Sequence, residues 1–224
     1  MKTSLRTVGQ ATLVGLAASV MLTACGAARS PSATPGPASI SPSGRSPAAM
    51  AAADSGRPPY TKEDVDFISG MIGHHAQAVL MAGWAPSHGA SSSVQGLSER
   101  IVVAQRDEIA FMQRWLRERR EQVPDAGTEH MMMAGMAMKL MPGMLTREQL
   151  MELDKARGTE FDRLFLQFMI QHHEGALTMV DKLFAAHGAG QDEDVFKFAV
   201  DVHADQTTEI DRMSLMLKSV PSSR

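Results

Sequence analysis

The sequence predicts an all-α protein, a four-helix bundle made of two duplicated helical hairpins with a short helix in the linker between them. Three observations carry this. The stretch MIGHHAQAVLM, Met71 to Met81, returns as MIQHHEGALTM, Met169 to Met179. Around both copies, apolar residues recur at the 3.6-residue spacing of one helix face. Caps and glycine stops bracket each stretch, and no alternating strand pattern intervenes.

The chain starts with a segment that reads as an address. Lys2 and Arg6 precede an apolar run from Ala11 to Met21, too short to span a bilayer, and Leu22-Thr23-Ala24-Cys25 follows where a signal peptidase would cut. Those four residues resemble a bacterial lipobox. Residues 1–24 are therefore expected to be a lipoprotein signal peptide, and Cys25, the only cysteine, the lipidated first residue of the mature chain. Cleavage would remove two positive charges, taking the formal net charge from −3 to −5, which gives no reason to expect nucleic-acid binding. Residues 25–59 are rich in Ser, Pro, Ala and Gly without period, the composition of a disordered tether. The expected location is the extracytoplasmic face of the cell membrane, held through lipid at Cys25, since a diacylated cysteine gives stable anchoring.

Residues 60–220 form the duplicated domain. Thr61, Asp64 and Phe67 match Thr159, Asp162 and Phe165, and the Met-Ile-x-His-His stretches align at the same spacing. Gln105, Glu108, Ile109 and Met112 then match Gln206, Glu209, Ile210 and Met213. Thr61 and Thr159 are expected N-caps, with Asp64 and Asp162 completing capping-box-like pairs. Gly89 and Gly188 read as helix stops, with His88 and His187 beside them placed to cap the C-terminal dipole. In each second helix the Gln, Glu, Ile and Met fall at i, i+3, i+4 and i+7, one face. The charged run from Arg114 to Glu121 reads as a solvated face, and Thr146 with Gln149 announces the short linker helix.

The linker, residues 128–145, is rich in methionine. Met131, Met132, Met133, Met136, Met138, Met141 and Met144 account for seven of the chain's 18 methionines, beside His130. Pro142 and the glycines interrupt any helix there, so core packing explains these residues poorly.

The chemistry points to a metal. Imidazole is the commonest protein metal ligand, and thioethers are soft donors that prefer Cu(I). Neighbouring helix residues point about 100° apart, so His74 and His75 straddle the apolar stripe and face different neighbours, as do His172 and His173. The four imidazoles can meet near the bundle centre. Glu108 and Glu209 are candidates to orient those rings or to ligate directly. Met71, Met81 and Met112, with their duplicates Met169, Met179 and Met213, are candidate ligands or core filler. His130 and the linker methionines suit capture of Cu(I) or Ag(I) far better than Ca²⁺ or Mg²⁺. The cofactor expected is copper, as Cu(I) or Cu(II), with another transition metal possible.

Several chemistries lack their residues. The sequence has no HExxH, no Gly-rich phosphate loop, no CxxC and no Glu-x-x-His of a di-iron oxidase. No catalytic residue is identified, and the protein reads as a binder more than an enzyme. The alternatives are a non-metal interaction module of the cell envelope and, more weakly, a metal-dependent oxidoreductase. Expected partners are the membrane, a metal ion, and a second copy or another envelope protein.

With these residues in hand, the chain resembles the domain of unknown function 305 family. MIGHHAQAVLM, FDRLFLQFMIQHHEGALTM, the QxxEIxxM segments and the PGMLT linker carry the resemblance, over about residues 60–218. It implies a ferritin-like four-helix bundle, exported or lipid-anchored, with some members similar to periplasmic copper-binding proteins.

Overall fold

The computed structural model describes residues 59–126 and 140–221. The signal peptide, Cys25, the tether, His130 and Met131, Met132, Met133, Met136 and Met138 lie outside them. Among the described residues there are five helices and no strand: α1 (Lys62–Gly83), α2 (Ser92–Glu118), α3 (Arg147–Lys155), α4 (Gly158–Ala185) and α5 (Glu193–Ser219). None is long and apolar enough to cross a membrane. α1 packs on α2 and α4 on α5 as two hairpins, the hairpins meet along α1 and α4, and α3 leans on α4.

Local chemistry sets most helix starts. Thr61 and Asp64 form a full capping box on α1, and Thr146 and Gln149 another on α3. Ser91 caps α2, and Asp192 caps α5 through the amides of Asp194 and Val195. The expected cap at Thr159 is not used. α4 starts earlier, after Arg157, which makes no side-chain cap, because the Gly158 amide is taken by the His88 carbonyl at 2.8 Å.

That frees Asp162 for another duty. Its two carboxylate oxygens accept from the Ser91 amide, at 3.1 and 3.2 Å, in the turn of the other hairpin. Asp64 reciprocates, with Oδ1 accepting from the Gly190 amide at 2.7 Å. An aspartate near the start of α1 and one near the start of α4 thus each pin the opposite hairpin's turn.

The helices stop before the glycines assigned to end them. α1 ends at Gly83 and α4 at Ala185, so Gly89 and Gly188 shape the turns beyond. His88 is not a dipole cap. It is buried, with Nε2 2.9 Å from the Asp154 carbonyl oxygen, tying the first turn to α3, while His187 is exposed. The charged run ending α2 is not uniformly solvated either. Arg119 is buried, pairs with Asp192 at 2.6 Å and lies 4.1 Å over the Trp115 ring. It joins the end of α2 to the start of α5.

The end of the linker is a strap between the hairpins. It is held by residues of the duplicated motif, where α1 reads Gly73-His-His-Ala-Gln77 and α4 reads Gln171-His-His-Glu-Gly175. Gln77 grips the Leu145 backbone on both sides, its Nε2 donating to the carbonyl at 3.1 Å and its Oε1 accepting from the amide at 2.7 Å. Gln171 donates to the Gly143 carbonyl at 3.2 Å. Of the two motif glycines, Gly175 makes room for the strap, whereas a Cβ on Gly73 would meet only Met141 Cε at 3.7 Å. A Cβ on Gly175 would overlap the Pro142 carbonyl, and one on Gly143, whose φ is +74°, would lie 2.5 Å from the Gln171 carbonyl.

Gly175→Ala should therefore destabilise the fold by about 2 kcal/mol or more, since the clash is with backbone and not a yielding side chain. Gly96→Ala, in α2 with nothing within 4 Å of the new Cβ, should stabilise by up to about 1 kcal/mol. Denaturant unfolding of both variants checks the pair. Equal effects would contradict the strap's tight seat.

Candidate metal centre

The two histidine pairs lie in a polar layer that divides the core. Two separate hydrophobic clusters fill the ends of the bundle. On α4 one cluster ends at Met169 and the other resumes at Ala176, with His172 and His173 between. α1 places His74 and His75 between Met71–Ile72 and Ala78–Met81. α2 passes from Ile101 to Ile109 across Gln105, and α5 from Val202 to Ile210 across Gln206. Six polar side chains therefore share one level, the histidines at 0% exposure and the glutamines at 3% and 4%.

The adjacent histidines do point to different helices. His75 turns outward to α2, its Nε2 2.6 Å from Glu108 Oε2, and His173 does the same to Glu209 on α5, also at 2.6 Å. His74 and His172 turn inward and meet with ring centroids 3.8 Å apart. The four rings make a row, with 6.3 Å between the members of each pair. Among the described residues no three His, Cys, Asp or Glu surround a common point for an ion, so any ion in this arrangement draws its remaining donors from thioethers, amides or water.

Hydrogen bonding fixes which nitrogens are free. A carboxylate and a carbonyl only accept, so Nε2 carries a proton in His75, His173 and His74, the last donating to the Pro142 carbonyl at 3.1 Å. Their Nδ1 atoms have no partner on the protein, that of the neutral His74 being bare, and neither nitrogen of His172 has one. The side-chain oxygens of Gln105 and Gln206 are also buried and unpartnered. With all four rings neutral, the layer holds six unpartnered acceptors against a single unpartnered donor, the N–H of His172. Each buried acceptor without a donor costs about 1–3 kcal/mol, a large sum against a domain stability of roughly 5–15 kcal/mol. A site lined by acceptors suits a cation.

The carboxylates of Glu108 and Glu209 hold the positions of groups that orient imidazoles through their N–H and raise the basicity of the far nitrogen. Outside Glu108 a groove of about 430 Å³ runs between α2 and α5, with Asp107, Asp201 and Asp205 on its walls. Burial, then the carboxylates of Glu108, Asp201 and Glu209, raise the Asp205 pKa. The groove concentrates negative charge beside the histidine row.

The methionines fall into two groups. Met71 and Met169 are fully buried one turn before the inner histidines, on the same helix faces. Met81 and Met213 pack in one hydrophobic cluster and Met112 and Met179 in the other. Met81, Met112 and Met213 lie six or seven residues beyond the layer residues of their own helices, roughly 10 Å along the axis. Of the linker methionines, Met144 is buried in the core and its sulfur accepts from the Met141 amide at 3.4 Å. Met141 is half-buried beside Gly70, touching both clusters.

Sequence reasoning had placed Gln105 and Gln206 in the repeat without giving them a part in the site. Their duplication was visible. That they share a level with the histidines required the register of the hairpins. The strap's bond to His74 was also hidden, because Pro142 is 68 residues away.

Burial keeps the inner rings neutral. Desolvation, reinforced by the neighbouring imidazole of His75, lowers His74 to about 3, and burial lowers His172 well below the ordinary 6.5, with His74 next in effect. Both folded pKa values lie below the unfolded ones, so between pH 6.5 and about 3 the unfolded chain binds protons that the folded chain refuses. This contribution leaves stability whole above pH 6.5 and lowers it as pH falls toward 3. In metal-free protein, His172→Leu should flatten the loss of stability between pH 6.5 and 4 relative to the parent. Parallel pH profiles in urea unfolding would contradict the neutral buried ring.

Comparison with known proteins agrees with this architecture. The model of the family described as "domain of unknown function" (DUF305) matches residues 64–217. A secreted DUF305 protein of Streptomyces coelicolor is 25% identical, with a TM-score of 0.59 over 70% of this chain and 93% of that one. A DUF305 fragment from Deinococcus radiodurans is 26% identical, with a TM-score of 0.58 over 72% and 99%. CopM in its Cu(I)-bound form is 26% identical, with a TM-score of 0.53 over 70% and 96%, and CopM is also known in Cu(II)- and Ag-bound forms. No curated protein matches. From the match over residues 64–217, the chain belongs to the DUF305 family.

Proposed function

We propose that this protein binds and sequesters copper outside the cytoplasmic membrane, to which Cys25 anchors it by lipid. One observation carries the proposal, the buried layer whose unpartnered acceptors outnumber its unpartnered donors. The donor set fits a soft ion. Neutral imidazoles need lose no proton to bind, and the burial that keeps His74 and His172 uncharged keeps them ready as ligands. His74 and His172 would hold the ion, with the thioethers of Met71 and Met169 as the adjacent soft donors. His75 and His173, oriented by Glu108 and Glu209, are further nitrogen donors.

The setting supports handling of an ion more than turnover of a substrate. The acidic groove beside Glu108 attracts cations to the edge of the row. Met141 stands where the methionine-rich linker joins the strap, and the strap's Pro142 carbonyl holds His74, which favours capture in the linker followed by storage in the bundle. The resemblance to CopM, whose structures hold copper and silver, supports copper as the cargo. Cys25 and the preceding lipobox-like residues support the membrane location.

Titration with Cu(I), and with Ag(I) as a redox-inert substitute, against a competing chelator tests the proposal. His74→Leu with His172→Leu should weaken binding more than about a hundredfold, beyond the usual cost of losing an outer partner. Glu108→Ala with Glu209→Ala should weaken it about tenfold. Parental affinity in the His74/His172 double variant would remove the central claim.

A further inference from the structure

We infer that Gln105 and Gln206 are the oxygen side of the centre, accepting hydrogen bonds from water that a divalent ion brings with it. The inference rests on the metal-binding reading above and extends it to the ion's charge and hydration. A buried glutamine oxygen with no donor is unfavourable, yet the chain has one at each of two duplicated positions. Both lie in the one stretch of their helix that separates the two hydrophobic clusters, Gln105 between Ile101 and Ile109, Gln206 between Val202 and Ile210. An apolar residue at either place would simply join the clusters. The two glutamines are therefore set at the level of the histidines along the bundle.

Their chemistry selects what they serve. An amide oxygen is a hard, neutral acceptor, poorly matched to Cu(I) or Ag(I) but well matched to the O–H of a metal-bound water. A monovalent soft ion can be held by imidazole and thioether and arrive without water. Cu(II) prefers nitrogen and oxygen donors, and any aqua ligand it keeps in this buried layer needs acceptors for its hydrogens. Gln105 and Gln206 provide one on each side. Their contribution should be selective for the divalent ion.

The test compares Gln105→Leu/Gln206→Leu with the parent in affinity for Cu(II) and for Ag(I), and in the exchangeable-proton couplings of bound Cu(II) seen by electron-nuclear double resonance. Cu(II) affinity should fall about ten- to a hundredfold, the range for outer partners of a metal. Ag(I) affinity should change less than about threefold, with the water-proton coupling lost or altered. Unchanged Cu(II) affinity with the coupling intact overturns the inference, and so does an equal loss of both ions, which marks a merely structural role. If the double variant does not fold, the single variants each retain one oxygen and should give intermediate, ion-selective losses. Failure of the broader reading is separate, since it shows as parental Ag(I) binding after His74 and His172 are replaced.

Discussion

Four imidazoles and two amides are held buried between two blocks of hydrocarbon, and each of the six belongs to a duplicated position. Much of the bundle serves that placement. Burial holds the inner rings neutral, and the outer rings are fixed by carboxylates on the second helix of their own hairpins. The energetic logic is that of a strained resource. Groups that would each cost stability when left without donors can be retained if a ligand supplies what they lack, because anything that binds only the folded state returns stability by mass action.

Symmetry builds the layer, and departures from symmetry connect it to the rest of the chain. Gln77, Gln171 and Gly175 let one strap, Met141 to Leu145, lie against both inner helices in a single orientation. Its Pro142 carbonyl then occupies His74 and leaves His172 with two free nitrogens. The two halves of the centre are alike in composition and unlike in commitment. Asp64 and Asp162 hold the hairpins in the register this requires, each bonding a turn amide of the other hairpin.

The elements of the fold were legible because they rest on local signals. Thr61 with Asp64, Thr146 with Gln149 and the 3.6-residue stripes are read from neighbouring residues, and the duplication shows how many hairpins to expect. The divergence of His74 and His75 toward different helices was likewise available from helix geometry. What stayed hidden depends on contacts between distant segments. Asp162 abandons the local cap suggested by its repeat partner because the His88 carbonyl takes Gly158. Arg119 is drawn out of a charged run by Asp192, and His88 is buried by Asp154, partners 73 and 66 residues away. Gln105 and Gln206 could be seen to repeat, but only the packing register puts them level with the histidines.

Imidazole nitrogen NMR of the protein before and after addition of Ag(I) tests the central claim most directly. The account predicts Nε2–H tautomers for His74, His75 and His173 in the free protein. On loading, it predicts large shifts and scalar coupling to silver at His74 Nδ1 and at a nitrogen of His172. Silver bound with all four rings unperturbed, or Nδ1–H tautomers for the outer histidines, would contradict it.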